Sequence, residues 1–131
     1  MADQADGTRT GSSAARPGLR LLRSFRYAGT GLITLLREQA NARIHLLATI
    51  LVVGAGLLLN VQRSDWLILL LCIALVWVAE ALNTALEYLC DATVEEQHPL
   101  IGKAKDIAAA GVLIAAAISA LAGLLVLLPY L

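Results

Sequence analysis

From Leu19 to Arg37 apolar residues return every three to four positions, and beyond His45 they form three long runs broken by short polar stretches. The first pattern predicts one amphipathic surface helix, and the second predicts three helices long enough to cross a bilayer. In the first segment Leu22, Phe25, Gly29, Leu32, Ile33 and Leu36 share one side, while Arg16, Arg20, Arg23, Tyr27, Thr30, Thr34 and Arg37 occupy the other. Such a helix is expected to lie on the cytoplasmic leaflet, its arginines facing anionic headgroups or an anionic ligand.

Glu38 to His45 reads as a polar hinge into a first span, Ile44 to Val61, which at ~1.5 Å per residue is ~27 Å long and just sufficient. Asn60-Val61-Gln62-Arg63-Ser64-Asp65 is expected as an external turn, with Trp66 at headgroup level, where indoles are favoured. A second span follows and returns to the cytoplasm around Glu87 to Asp91. Thr93 to Lys105 is expected as a cytoplasmic loop, broken by Pro99 and Gly102 and charged by Glu95, Glu96, Lys103 and Lys105. The third span, Ile107 to Leu128, has Ser119 as its one polar residue and leads the C-terminus outside. Along it Gly111, Ala115, Ser119 and Gly123 repeat every four positions, a small-residue face that permits close helix packing.

Composition turns this into a class. A chain of 131 residues, 59% hydrophobic and 15% charged, has room for one all-α membrane domain, expected over 19–131, behind a disordered tail, 1–18. The net charge of zero hides an asymmetry. Arg9, Arg16, Arg20, Arg23, Arg26, Arg37 and Arg43 precede the first span, against Asp3, Asp6 and Glu38, so the N-terminus is expected in the cytoplasm of a multi-pass protein of the cell membrane. No removable signal peptide is apparent, and the first span is expected to target the chain. Cys72 and Cys90 fall on one predicted helix, ~27 Å apart, too far for a disulfide. His45 and His98 are isolated in sequence and read as interfacial polar residues.

The second span holds the candidate chemistry. The apolar run from Trp66 to Ala79 is too short to cross alone, which places Glu80 inside the hydrocarbon. At roughly 100° per residue Glu80, Asn83, Glu87 and Asp91 fall near 0°, 300°, 340° and 20°, a stripe about 16 Å long. A carboxylate there is costly unless it meets a partner or a wet cavity. The stripe is either a working site or glue between helices of an oligomer.

Folding back the predicted topology brings Glu38, Asn41, Arg43, Lys105 and Asp106 to the same cytoplasmic surface. Carboxylates for Mg²⁺, cations against phosphate charge and a base beside an attacking hydroxyl are the needs of phosphoryl transfer. A carboxylate drawn out of water holds a proton more readily, which suits general-base work near neutral pH. The same groups would serve a proton-coupled small transporter, and a non-enzymatic membrane subunit is a further alternative. The standard phosphate-binding loops of soluble nucleotide enzymes are missing from the sequence, and no nucleic-acid partner is expected.

One resemblance separates these readings. Glu80-x-x-Asn83-Thr84-Ala85-x-Glu87-x-x-x-Asp91, followed by Gly102-x-Ala104-Lys105-Asp106-x-x-Ala109-Ala110, resembles the signature of the prokaryotic diacylglycerol kinase and undecaprenol kinase family. The likeness extends from about Leu19 to the C-terminus and includes Tyr27, Gly31 and Asn41-Ala42-Arg43-Ile44-His45. It implies a homotrimeric membrane kinase, with sites shared between subunits, that moves the γ-phosphate of Mg-ATP onto a lipid hydroxyl. By position it implies Glu80 as the base, Asn83 as its polar partner, Glu87 as a Mg²⁺ ligand, Lys105 against the ATP phosphates, Asp106 and Asp91 in support, and Arg20 near the nucleotide. The family's second metal-binding carboxylate falls at Gln39 in this chain, one position from Glu38, so either a shift of register makes Glu38 the ligand or the site runs with one fewer carboxylate from this segment. Asn41-x-Arg43-Ile44-His45 resembles the undecaprenol kinase branch more than the diacylglycerol branch.

Overall fold

The computed structural model describes residues 17–93 and 98–131, of which the side chain of residue 17 is left aside. Of the expected tail, residues 1–16 lie outside the described residues, as do Glu95 and Glu96 of the expected loop; Pro17 and Gly18 already belong to a helix. Four helices follow: α1 (Pro17–Glu38), α2 (Ala40–Leu58), α3 (Arg63–Thr93) and α4 (Pro99–Leu127), ending in a 3-10 turn, Leu128–Tyr130. The last three are long and apolar enough to cross a membrane.

The chain divides into two units, residues 1–32 and 33–131. In the first, the described helix exposes every residue from Gly18 to Leu32. Its polar side chains turn inward on their own backbone: Ser24 Oγ donates to Arg20 O at 3.1 Å and Thr30 Oγ1 to Arg26 O at 3.0 Å. The Arg26 guanidinium stands 5.6 Å from the centre of the Tyr27 ring.

In the second unit the expected eight-residue hinge shrinks to one residue. Gln39 takes an extended conformation, φ −101° and ψ 120°, and α2 starts immediately after it. Arg43 Nη1 donates back to Arg37 O at 3.3 Å, which satisfies a carbonyl that the end of α1 leaves without a helical donor. Polar character marked this stretch as a hinge, but its residues have good helix propensity and their side chains close the gap.

The α2–α3 turn is a Schellman closure. Leu59 caps α2, Asn60 adopts φ 51°, and the N–H groups of Asn60 and Val61 return to Leu57 O and Gly56 O at 3.4 and 3.1 Å. Asn tolerates this left-handed backbone, and Val61 after it is buried. Gln62 N donates to Tyr130 Oη at 3.2 Å and Tyr130 Oη donates to Asp65 Oδ2 at 2.6 Å, which fastens the C-terminal turn to the start of α3.

Thr93 to Lys105 is not a loop of that length. His98 is the N-cap of α4, its Nδ1 accepting from Leu100 N at 3.2 Å, and Pro99 is the first helical residue. Proline suits that position because its missing N–H would have had no helical partner. Gly102 is absorbed into the helix, so α4 begins about two turns earlier than the apolar run alone predicts.

α3 packs most extensively against α4, and α2 lies on α3. Ala115 and Gly123 of the small-residue face are buried, and Ser119 Oγ donates to Cys72 O at 3.1 Å; Gly111 is exposed and takes no part. A Cβ on Gly123 would lie 3.9 Å from Leu69 Cδ2, so Leu69, one of the most buried side chains, rests on this glycine. Both cysteines are free, as their separation predicts.

Gly56 is the most crowded of the described glycines. A Cβ there would stand 2.8 and 2.9 Å from Cη2 and Cζ2 of Trp66. Gly56→Ala is therefore expected to displace the indole and destabilise the protein by about 1–3 kcal/mol, the usual cost of overpacking. Thermal unfolding in detergent measures it, and adding Trp66→Leu should recover part of the loss. An unchanged midpoint in Gly56→Ala would refute the packing assignment.

Candidate functional site

The polar stripe runs from buried to exposed along α3. α3 supplies Glu80, Asn83 and Thr84, exposed by only 1%, 7% and 4%, directly after its apolar run. Glu87 is half-buried one turn further on, and Asn83 Nδ2 donates to Glu87 Oε1 at 3.0 Å, across the four-residue spacing that puts them on one face. Asp91, a turn beyond, is exposed and forms an ion pair with Lys105 of α4. Helix packing thus brings four of the expected site residues of α3 and one of α4 to a single end of the unit. Asp106 is exposed beside Lys105. Arg20 belongs to the first unit, where it is exposed and its carbonyl accepts from Ser24.

Glu38 reaches α3 by a different route. Tyr88 Oη donates to Glu38 Oε2 at 2.5 Å, which ties the carboxylate that ends α1 to the C-terminal part of α3. Gln39 is the extended residue that separates the two helices.

The largest difference from the sequence reading is His45. Sequence places it alone at a membrane boundary; the fold sets its Nε2 3.8 Å from Glu80 Oε2, with the imidazole only 14% exposed. The α2–α3 contact explains this placement. Thr49 Oγ1 donates to His45 O at 2.8 Å and accepts from the Trp77 indole N–H at 3.0 Å. Trp77 precedes Glu80 by three positions and His45 precedes Thr49 by four, so both partners share a helical face. That spacing was legible; the pairing of the two faces was not. Thr84 and Tyr88 were likewise passed over as site residues.

Four buried side-chain atoms have no hydrogen-bond partner among the described residues: His45 Nε2, Glu80 Oε2, Asn83 Oδ1 and Thr84 Oγ1. Unsatisfied polar atoms inside a membrane protein are costly, and their concentration around one carboxylate marks a place built to receive a polar ligand. No group of three or more His, Cys, Asp or Glu that could hold a metal occurs among the described residues. Mg²⁺ bound with a nucleotide takes only one or two protein carboxylates, with phosphate and water oxygens completing its shell. Glu87, one oxygen fixed by Asn83 and the other free of that bond, fits such a donor set.

Comparison with known proteins identifies the family. Residues 26–127 match the family described as prokaryotic diacylglycerol kinase. An undecaprenol kinase of Bacillus subtilis is 38% identical over 110 residues, spanning 84% of this chain and 89% of that protein. A diacylglycerol kinase of a Synechocystis species is 42% identical over 110 residues, spanning 83% of this chain and 63% of that protein. The diacylglycerol kinase of Escherichia coli K12 is 33% identical over 96 residues, 73% of this chain and 79% of that one. With a buried carboxylate on a spanning helix, a cation and further acids at its end, and this extent of likeness, the chain belongs to the prokaryotic diacylglycerol kinase family of lipid kinases.

Proposed function

We propose that the protein transfers the γ-phosphate of ATP to the hydroxyl of a membrane lipid at the cytoplasmic face, working as a homotrimer with Mg²⁺. The observation that carries this reading is Glu80, buried within an apolar helix with an oxygen left without a partner and with cationic and acidic groups one to three turns away. The acceptor oxygen attacks the γ-phosphorus, its O–H proton passes to the Glu80 carboxylate, the bond from phosphorus to the β–γ bridging oxygen breaks, and ADP leaves. Asn83 holds Glu87 in place, and Lys105 shifts from Asp91 toward the ATP phosphates, with Asp91 and Asp106 supporting the nucleotide. Mg²⁺, when bound, would supply neutralisation of phosphate charge, with Glu87 and Glu38 as the side chains that would hold it.

The N-terminal arginines support a cytoplasmic N-terminus, with α1 on the leaflet surface. The three spans leave most of their large apolar side chains uncovered, which is consistent with lipid and further copies of the chain around them. A proton-coupled transporter or a non-enzymatic subunit is not favoured by the family.

Undecaprenol is the favoured acceptor, on the Asn41-x-Arg43-Ile44-His45 segment and the likeness to the Bacillus undecaprenol kinase; diacylglycerol is the second reading, on the likeness to the two diacylglycerol kinases. Purified protein in mixed micelles with radiolabelled ATP should label undecaprenol in preference to diacylglycerol. Label in diacylglycerol alone would reverse the acceptor assignment, and label in neither lipid would refute the kinase reading.

A further inference from the structure

The lipid-kinase reading gives Glu80 a role and leaves His45 without one. His45 Nε2 and Glu80 Oε2 face each other from different helices, both buried and both without a hydrogen-bond partner among the described residues. Their 3.8 Å separation is too long for a direct hydrogen bond, which needs about 2.7–3.2 Å. It suits a third atom. An oxygen placed to one side at ~2.8 Å from each would see the two at an angle of about 85°, acceptable for a hydroxyl that donates to one and accepts from the other.

We propose that His45 is a second catalytic contact of the acceptor hydroxyl: its Nε2–H donates to the hydroxyl oxygen while that hydroxyl donates its proton to Glu80 Oε2. As the O–H bond breaks, the proton goes to Glu80. One oxygen lone pair stays on His45 and another forms the bond to the γ-phosphorus, so His45 remains neutral and aims the nucleophile. Two contacts fix the oxygen where one would let it swing about the carboxylate, and orientation of this kind is worth much of a rate.

The surroundings agree. The chain of contacts from His45 O through Thr49 to the Trp77 indole locks α2 to α3 one turn before Glu80 and sets the facing distance. His45 also lines a cavity of about 350 Å³ between α2, α3 and α4, whose other walls include Val52, Leu69, Val76 and Ala120. An apolar space beside a pair of polar atoms suits a hydroxyl carried on hydrocarbon.

The test uses the full chain in lipid micelles with radiolabelled ATP, and the proposal rests on the lipid-kinase reading. If the wild type phosphorylates no lipid, that reading fails and this one with it; if the wild type is active, His45 is judged alone. His45→Leu should lower kcat roughly 10- to 100-fold, with KM for Mg-ATP within about twofold of wild type. His45→Gln, whose amide nitrogen reaches the place of Nε2, should retain most activity. His45→Asn, whose amide stops at the place of Nδ1, should behave as His45→Leu. When Glu80→Gln is already present, His45→Leu should cost less than about twofold more, because the two groups serve one oxygen. Near wild-type turnover in His45→Leu, equal losses with and without Glu80→Gln, or His45→Gln no better than His45→Asn would each overturn the proposal. Should His45→Leu fail to assemble, the Gln and Asn variants decide.

Discussion

Glu80→Gln is expected to lower phosphoryl transfer to lipid at least ~100-fold while the protein still assembles, the usual worth of a general base. The glutamine matches the carboxylate in shape and keeps an oxygen and a nitrogen for hydrogen bonding. It cannot take a proton from the acceptor. Glu80 is 1% exposed and its Oε2 makes no hydrogen bond among the described residues, so removing its charge breaks no bond that the fold depends on. Burying a neutral amide is also less costly than burying a carboxylate, and thermal stability should hold or rise slightly. Initial rates with undecaprenol and with diacylglycerol, set beside an unfolding curve, measure both halves. Turnover near that of the wild type would remove Glu80 from the base position and leave it as interhelical glue.

The second large effect is expected at Glu87. Its carboxylate is half-buried, and Asn83 fixes one of its oxygens, which orients the other. Glu87→Gln preserves an acceptor for Asn83 but supplies only a neutral oxygen to a cation, so the rate should fall and the Mg²⁺ concentration for half-maximal rate should rise roughly tenfold or more. Glu38→Ala should raise that concentration by less, because Glu38 divides its oxygens between Tyr88 and any cation. Gln39→Glu, which restores an acid where the family carries one, should lower it. A Mg²⁺ titration curve for each variant separates these outcomes. An unchanged curve in Glu87→Gln would exclude Glu87 as a ligand; an unchanged curve in Glu38→Ala would leave Glu38 as a partner of Tyr88 alone.

The number of helices, their order and the residues of the polar stripe were legible because each rests on local periodicity. A run of apolar residues long enough to span a bilayer is visible in any window, and Glu80, Asn83, Glu87 and Asp91 share a face by helix geometry alone. Helix ends were less so. The sequence reading took Pro99 and Gly102 as breakers, although Pro99 begins α4 with its missing N–H at no cost and Gly102 is carried by the helix around it. It took Glu38 to His45 as a hinge, although a single extended residue, Gln39, makes the break.

Periodicity and the cost of charge in hydrocarbon act within one helix, so they alone dictate an all-helical chain with three spanning segments and one helix face whose carboxylates have to be useful or paired. Which groups meet that face from elsewhere was decided only by tertiary packing. The small residues of α4 let it close on α3 and bring Lys105 to Asp91, and the Thr49–Trp77 contact turns α2 so that His45 faces Glu80. Rotating α2 by one residue, about 100°, would carry His45 off Glu80 while leaving every apolar run in the sequence unchanged. Periodicity along one helix holds no record of that angle, because it is set by side chains of two helices at once.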